Sequence, residues 1–182
     1  MSGIYAYLIF DILVTLLKKV KINDSTKYIN HENVYTNEQL ENIIKKLSKH
    51  YRPKRVIIYE SRLDLLRYLL ISPTAIYSLL DVRVLVGIIG GTYFPVKDEI
   101  SMFLFTFKNK KFDDVDKVLY FAHSFVHELR HRWQKSNNVF YKIKREKDAN
   151  NFAHYFLNRN SALISKTLNL ADEWYCDEPL VK

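Results

Sequence analysis

Apolar positions recur at helical spacing in NEQLENIIKKLSKH, Asn37 to His50, where Leu40, Ile43, Ile44 and Leu47 share one face behind Asn37 as the expected N-cap. The period changes after Pro53. RVIIYE, Arg55 to Glu60, is short and β-branched and reads as a strand, and SRLDLLRYLL, Ser61 to Leu70, returns to helical spacing. Thr74 to Leu80 reads as a further helix entered through Ser72 and Pro73. Two apolar runs follow, VRVLVGII (Val82 to Ile89), ended by Gly90 and Gly91, and ISMFLFTF (Ile100 to Phe107); both read as neighbouring strands. A long helix then opens with Asp113 and Asp114 as cap candidates, carries Leu119, Ala122, Val126, Leu129 and Trp133, and ends near Ser136 to Asn138. A last helical stretch runs from about Arg145 through Phe152, Phe156 and Leu157. Strands mixed irregularly with helices predict an α+β fold.

With 182 residues, 48% hydrophobic and 26% charged, the chain is expected to form one domain, 1–182, with a substantial core. Four Gly, four Pro and the lack of any internal repeat argue against linkers or an array. One cysteine, Cys176, allows no intramolecular disulfide and no Cys-based zinc site, which fits a reducing cytoplasm. The run IYAYLIFDILVTLL, Ile4 to Leu17, is apolar, but its lysines follow it, Asp11 interrupts it, and it is shorter than the ~20 residues of a membrane span. A buried strand or helix is the plainer reading of it, and a membrane-surface role the alternative. The net charge of +8 would suit a polyanion or an acidic protein, yet the basic residues are scattered in small groups and form no nucleic-acid motif.

Within the long helix lies HELRH, His127 to His131. Histidines four apart project from one helix face a turn apart, so both imidazoles can reach one zinc ion. Glu128, displaced around the helix, is placed to take a proton from an attacking water and deliver it to a leaving nitrogen. Shuffling a chain with 6 His and 9 Glu would supply this pattern with a probability of roughly one per cent, so its context must carry weight. A catalytic zinc needs a third protein ligand. Glu146 is the leading candidate, at the start of the next helix; Asp148 competes locally, and Asp172 and Glu173 from further away. Asn150, one turn beyond Glu146, is a candidate to hydrogen-bond a ligand histidine and fix its tautomer. His123 precedes His127 by one turn and either faces the cleft or packs beneath the sheet. Tyr141, His154 and Tyr155 are candidate donors to a developing oxyanion.

HELRH joined to the downstream E-x-D-A-N-x-F-A, Glu146 to Ala153, resembles the zinc metallopeptidase family of the ImmA and IrrE proteins of phages, mobile elements and bacterial stress regulators. The resemblance spans about 82–157 and leaves the first 80 residues without a recognised motif. It implies zinc ligands His127, His131 and Glu146, a catalytic Glu128, and a zincin-like domain with a short mixed sheet over the HExxH helix and additional N-terminal helices. It places a hairpin at Gly91-Thr92-Tyr93. It further implies a cytoplasmic metalloprotease that cleaves a specific protein, often a separate helix-turn-helix repressor; no such segment is evident in this chain. Arg130 stands where many relatives carry Gly, a departure within the motif. Two other classes stay open: a non-catalytic regulator that keeps the fold for recognition, and a nucleic-acid-associated protease resembling SprT-like proteins, whose DNA binding would be strongly salt-dependent.

Overall fold

Three consecutive β-branched residues, Val56, Ile57 and Ile58, favour extended backbone, and the segment holding them becomes a central strand of a four-stranded mixed sheet. The computed structural model describes residues 21–72, 74–108, 114–139, 142–171 and 174. The run Ile4–Leu17, Asp113, Tyr141, Asp172, Glu173 and the side chain of Asp114 lie outside the described part. The strands are β1 (Lys27–Ile29), β2 (Arg55–Tyr59), β3 (Gly91–Phe94) and β4 (Glu99–Phe103), in the order β1-β2-β4-β3. β1 and β4 flank β2 in parallel, and β3 closes one edge antiparallel to β4, with Gly91 opposite Met102 and Phe94 opposite Glu99.

Eight α-helices among the described residues complete an α+β architecture. They are α1 (Asn37–Lys45), α2 (Arg62–Arg67), α3 (Thr74–Leu80), α4 (Val82–Leu85), α5 (Phe105–Lys108), α6 (Asp114–Ser136), α7 (Lys142–Arg159) and α8 (Ser161–Leu168). Alternation along the strands divides the core. Val56, Ile58, Ile100, Met102 and Tyr93 pack with α1, α6, α7 and α8, whereas Ile57, Tyr59 and Phe103 pack with Leu65, Tyr68, Ala75 and Val84 from the α2–α4 side. Each such large apolar side chain contributes about 1.5–3 kcal/mol by burial. Among the described residues no helix is long and apolar enough to cross a membrane.

Four sequence-based expectations change. The N-cap of α1 is Thr36, not Asn37: the Thr36 hydroxyl accepts the Gln39 N–H (3.1 Å) while the Gln39 side chain accepts the Thr36 N–H (2.8 Å), a reciprocal box that requires this three-residue spacing. α1 ends at Lys45, and Lys49–Tyr51 forms a separate 3-10 turn. Val82–Ile89 is not a strand. Asp81 caps α4 by accepting the Arg83 N–H (3.0 Å), the chain turns at Gly87 (φ 78), and Val82, Val86 and Ile88 are exposed. A local cap outweighed β-propensity where no neighbouring strand offered hydrogen bonds. The hairpin therefore joins Gly91–Phe94 to Glu99–Phe103, and the apolar run stops being extended at Phe103, beyond which lies α5.

Arg132, fully buried on α6, holds this arrangement together. Its guanidinium donates to both oxygens of Asp98 (2.7 and 2.9 Å) in the β3–β4 turn and to the backbone carbonyls of Lys21 and His50. The long helix is thus locked in register against the hairpin, and a buried charge is paired and hydrogen-bonded as its desolvation requires.

Candidate metal centre

The mid-helix position of HELRH in α6 gives His127 and His131 fixed backbones, and their rings stand nearly perpendicular, 88°, with centroids 4.5 Å apart. α7 returns alongside α6 and brings Glu146 from its first turns. Glu146 Oε2 lies 3.4 Å from His127 Nε2 and 3.4 Å from His131 Nε2. Both separations exceed the 2.7–2.9 Å of a charge-assisted hydrogen bond. They match the spacing of about 3.4 Å between ligand atoms at the corners of a tetrahedron with zinc–ligand bonds of about 2.0–2.2 Å. Two imidazole nitrogens and one carboxylate oxygen are also a donor set that zinc accepts, so the residues present fit the ion. Donor atoms of His127, Glu128 and His131 all lie within 4.8 Å of one another.

His131 is oriented by Gln134, one turn on. Gln134 gives its amide N–H groups to the Arg145 carbonyl (2.8 Å) and to Asp148 (2.7 Å), which leaves its Oε1 to face His131 Nδ1 at 2.8 Å. In the neutral ring Nδ1 is therefore the nitrogen that keeps its proton, which leaves the Nε2 lone pair for a metal; in the protonated ring Nε2–H faces Glu146. Gln134, and not Asn150, makes the hydrogen bond to His131 Nδ1; Asn150 lines the cavity without bonding His127 or His131. Asp148 is already committed to Arg130 (2.8 and 3.1 Å) and Gln134. It is thus a support of the site, whereas Glu146 carries the free carboxylate edge. The imidazoles of His127 and His131, through these two long polar contacts, hold Glu146 well below the ordinary carboxylate range. Burial pulls His131 down, but hydrogen bonds to Glu146 and Gln134 and the charges of Glu128 and Glu146 outweigh it, and the net shift is upward.

The site opens into a cavity of about 530 Å³ walled by α6, the first turns of α7 and the β3 edge. Buried Glu128 packs against Gly91 in its wall, and a Cβ at Gly91 would sit 2.9 Å from Glu128 Cγ and 2.8 Å from Met102 Sδ. Only glycine lets strand and carboxylate approach this closely. The Phe103 N–H donates to the Gly90 carbonyl (2.9 Å), so the antiparallel alternation turns the N–H and C=O of Gly91 and Tyr93 away from β4 toward the open edge.

His123 also borders the cavity but is 1% exposed, with neither ring nitrogen in a hydrogen bond of good geometry. Burial chiefly, with repulsion from His127 and His154, brings it down to about 4, so at neutral pH it is an uncharged, packed residue. Of the oxyanion-donor candidates, Tyr155 is exposed and receives Arg159, and His154 pairs with Asn158 (3.3 Å); neither lines the cavity, whereas Tyr120, Ser124 and Arg145 do. Trp133 is half-buried against the main core, beneath the Arg130 guanidinium, 3.8 Å from its ring centre. Tyr120 and Ser124 were discoverable from spacing, since they stand seven and three residues before His127 on its helical face. No protein-family model, curated protein or solved structure matches this chain.

Proposed function

We propose that the chain is a zinc-dependent endopeptidase with His127, His131 and Glu146 as ligands and Glu128 as general base and then general acid. The observation that carries this reading is the placement of one Glu146 oxygen 3.4 Å from both histidine nitrogens, the spacing of a tetrahedral ligand set. A bound zinc ion would supply a Lewis acid, lowering the pKa of water at its open position and polarising the scissile carbonyl. The protein's own groups do the rest. Gln134 orients the His131 ring, and Gly91 leaves room for the Glu128 side chain at the cavity wall. Glu128 takes the proton released as water attacks the carbonyl carbon and passes it to the nitrogen as the C–N bond breaks. The outward N–H and C=O groups of Gly91 and Tyr93 suit an extended substrate laid along β3 as an added strand.

The resemblance to the ImmA and IrrE proteins supports a cytoplasmic role within a phage or mobile element, with a separate repressor protein as the substrate class. Glu128→Gln keeps the size of the side chain and removes the base. Incubation with peptide libraries and candidate repressors, read by mass spectrometry, is expected to show cleavage by the parent and none by this variant while its zinc is retained. Equal cleavage by both proteins refutes the assignment of Glu128. Retained biological effect without cleavage favours the non-catalytic regulator.

A further inference from the structure

Ten of the fourteen exposed large apolar residues among the described residues fall between Leu63 and Ile88, so this exposure is a patch and not scatter. Leu63, Leu66 and Leu70 continue one stripe at helical spacing, and Ile76 and Leu80 form a second on α3, with Val82 beyond. The inner faces of these same helices cover the sheet through Leu65, Tyr68, Ala75 and Val84, so α2–α4 are apolar on both sides. A helix layer of that kind is normally sandwiched. The chain also holds an apolar run in its sequence, IYAYLIFDILVTLL, Ile4–Leu17, ahead of the first described residue, Lys21.

The position of Lys21 connects the two. Its carbonyl is gripped by Arg132, the same guanidinium binds Asp98, and the Asp98 carbonyl accepts the Arg55 N–H. Arg55 in turn reaches Glu99 (3.3 Å) and the Ile71 carbonyl (3.5 Å), while Ser72 binds Glu99 from the start of α3. Lys21 and the Leu70–Ile71 end of the patch therefore lie at the same end of the sheet, where β2 and β4 begin. Fourteen residues in a helix would extend about 21 Å, roughly twice the length of the six- and seven-residue helices α2 and α3. Tethering makes the encounter intramolecular, at an effective concentration on the order of millimolar.

We propose that the apolar segment Ile4–Leu17 covers the outward face of α2–α4 in its own chain, completing a further layer of the fold. Hydrogen-exchange mass spectrometry of the full chain tests this directly. Peptides within Ile4–Leu17 are expected to exchange at least about tenfold more slowly than unstructured chain, without lipid and independently of protein concentration. The protection is expected to vanish in Leu66→Asp/Leu80→Asp while peptides of α6 keep theirs, which separates undocking from unfolding. Unstructured-chain exchange in the parent overturns the proposal, as does protection that persists in the double variant. Protection that fades on dilution assigns the patch to a second copy, and protection that needs phosphatidylcholine–phosphatidylserine vesicles assigns it to a membrane; either result overturns the proposal. Should the double variant not fold, Leu8→Asp/Leu13→Asp alters only the segment. It is expected to raise anilinonaphthalene sulfonate fluorescence about fivefold as the patch is bared, and unchanged fluorescence counts against the proposal.

Discussion

Replacing Gly91 by alanine adds one methyl group at the point where β3 meets the HExxH helix. That carbon would stand 2.8 Å from Met102 Sδ and 2.9 Å from Glu128 Cγ, with Met102 Cε at 3.3 Å. The Met102 end can swing, but it is fully buried, and Glu128 is rooted in the middle of a 23-residue helix. Overpacking of this kind costs about 1–3 kcal/mol, which for a domain of this size lowers Tm by between about 2 and 12 °C. The larger consequence is for chemistry, because a shift of about 1 Å in a reacting carboxylate can lower turnover by about 10²-fold. Glu128 is not among the three proposed ligands, so zinc content should stay near that of the parent. Calorimetry, metal analysis and peptide-library cleavage on the same preparation separate these effects. The expected result is retained zinc, a modestly lower Tm and a large loss of cleavage; parent-like Tm and cleavage together would refute the packing of Gly91 against Glu128.

The remaining predictions concern how the ligands are held. Gln134→Leu removes the acceptor of His131 Nδ1 and is expected to weaken zinc binding by about 10–100-fold in a chelator competition, while Asn150→Leu leaves it nearly unchanged; the reverse order would return the orienting role to Asn150. Zinc affinity should depend on pH with a definite sign. His131 in the metal-free protein is raised above its ordinary 6.5, so protons compete increasingly as pH falls through that raised value, and affinity drops by about tenfold per pH unit for each proton displaced. The metal-free protein shows the opposite trend in its own stability: what the raised His131 contributes is complete below pH 6.5 and is lost as pH rises past the folded value. Calorimetric titration from pH 8 to 5.5 reads the first trend and urea unfolding of the metal-free protein the second. A flat affinity profile contradicts the assignment of His131.

Much of the site was legible because helical periodicity is local. His127 and His131 share a face by spacing alone, and Glu146 lies in the first turns of the helix that follows after a short connection. Gln134 had the same signal, three residues after His131, but glutamine on a helix is usually a solvated residue, and only the donors and acceptors around it reveal its role. Gly91 was marked as a turn signal; its use, admitting Glu128, depends on a contact across 37 positions that no local pattern carries. The strand boundaries failed for a related reason. Val82–Ile89 is as β-branched as β2, but β2 sits between two pairing strands, while Val82–Leu85 has Asp81 to start a helix and no neighbour to extend it. β1 has only three residues and was invisible to pattern, since its place comes from pairing with Arg55–Ile57.

The metal content of the purified full chain tests the central claim most directly. One zinc per chain is expected in the parent and in Glu128→Gln. Loss of that zinc to a chelating resin is expected in His127→Ala, His131→Ala and Glu146→Ala, because each removes one corner of the set spaced at 3.4 Å. A parent that binds no zinc, or a Glu146→Ala protein that holds its zinc as tightly as the parent, would contradict the account.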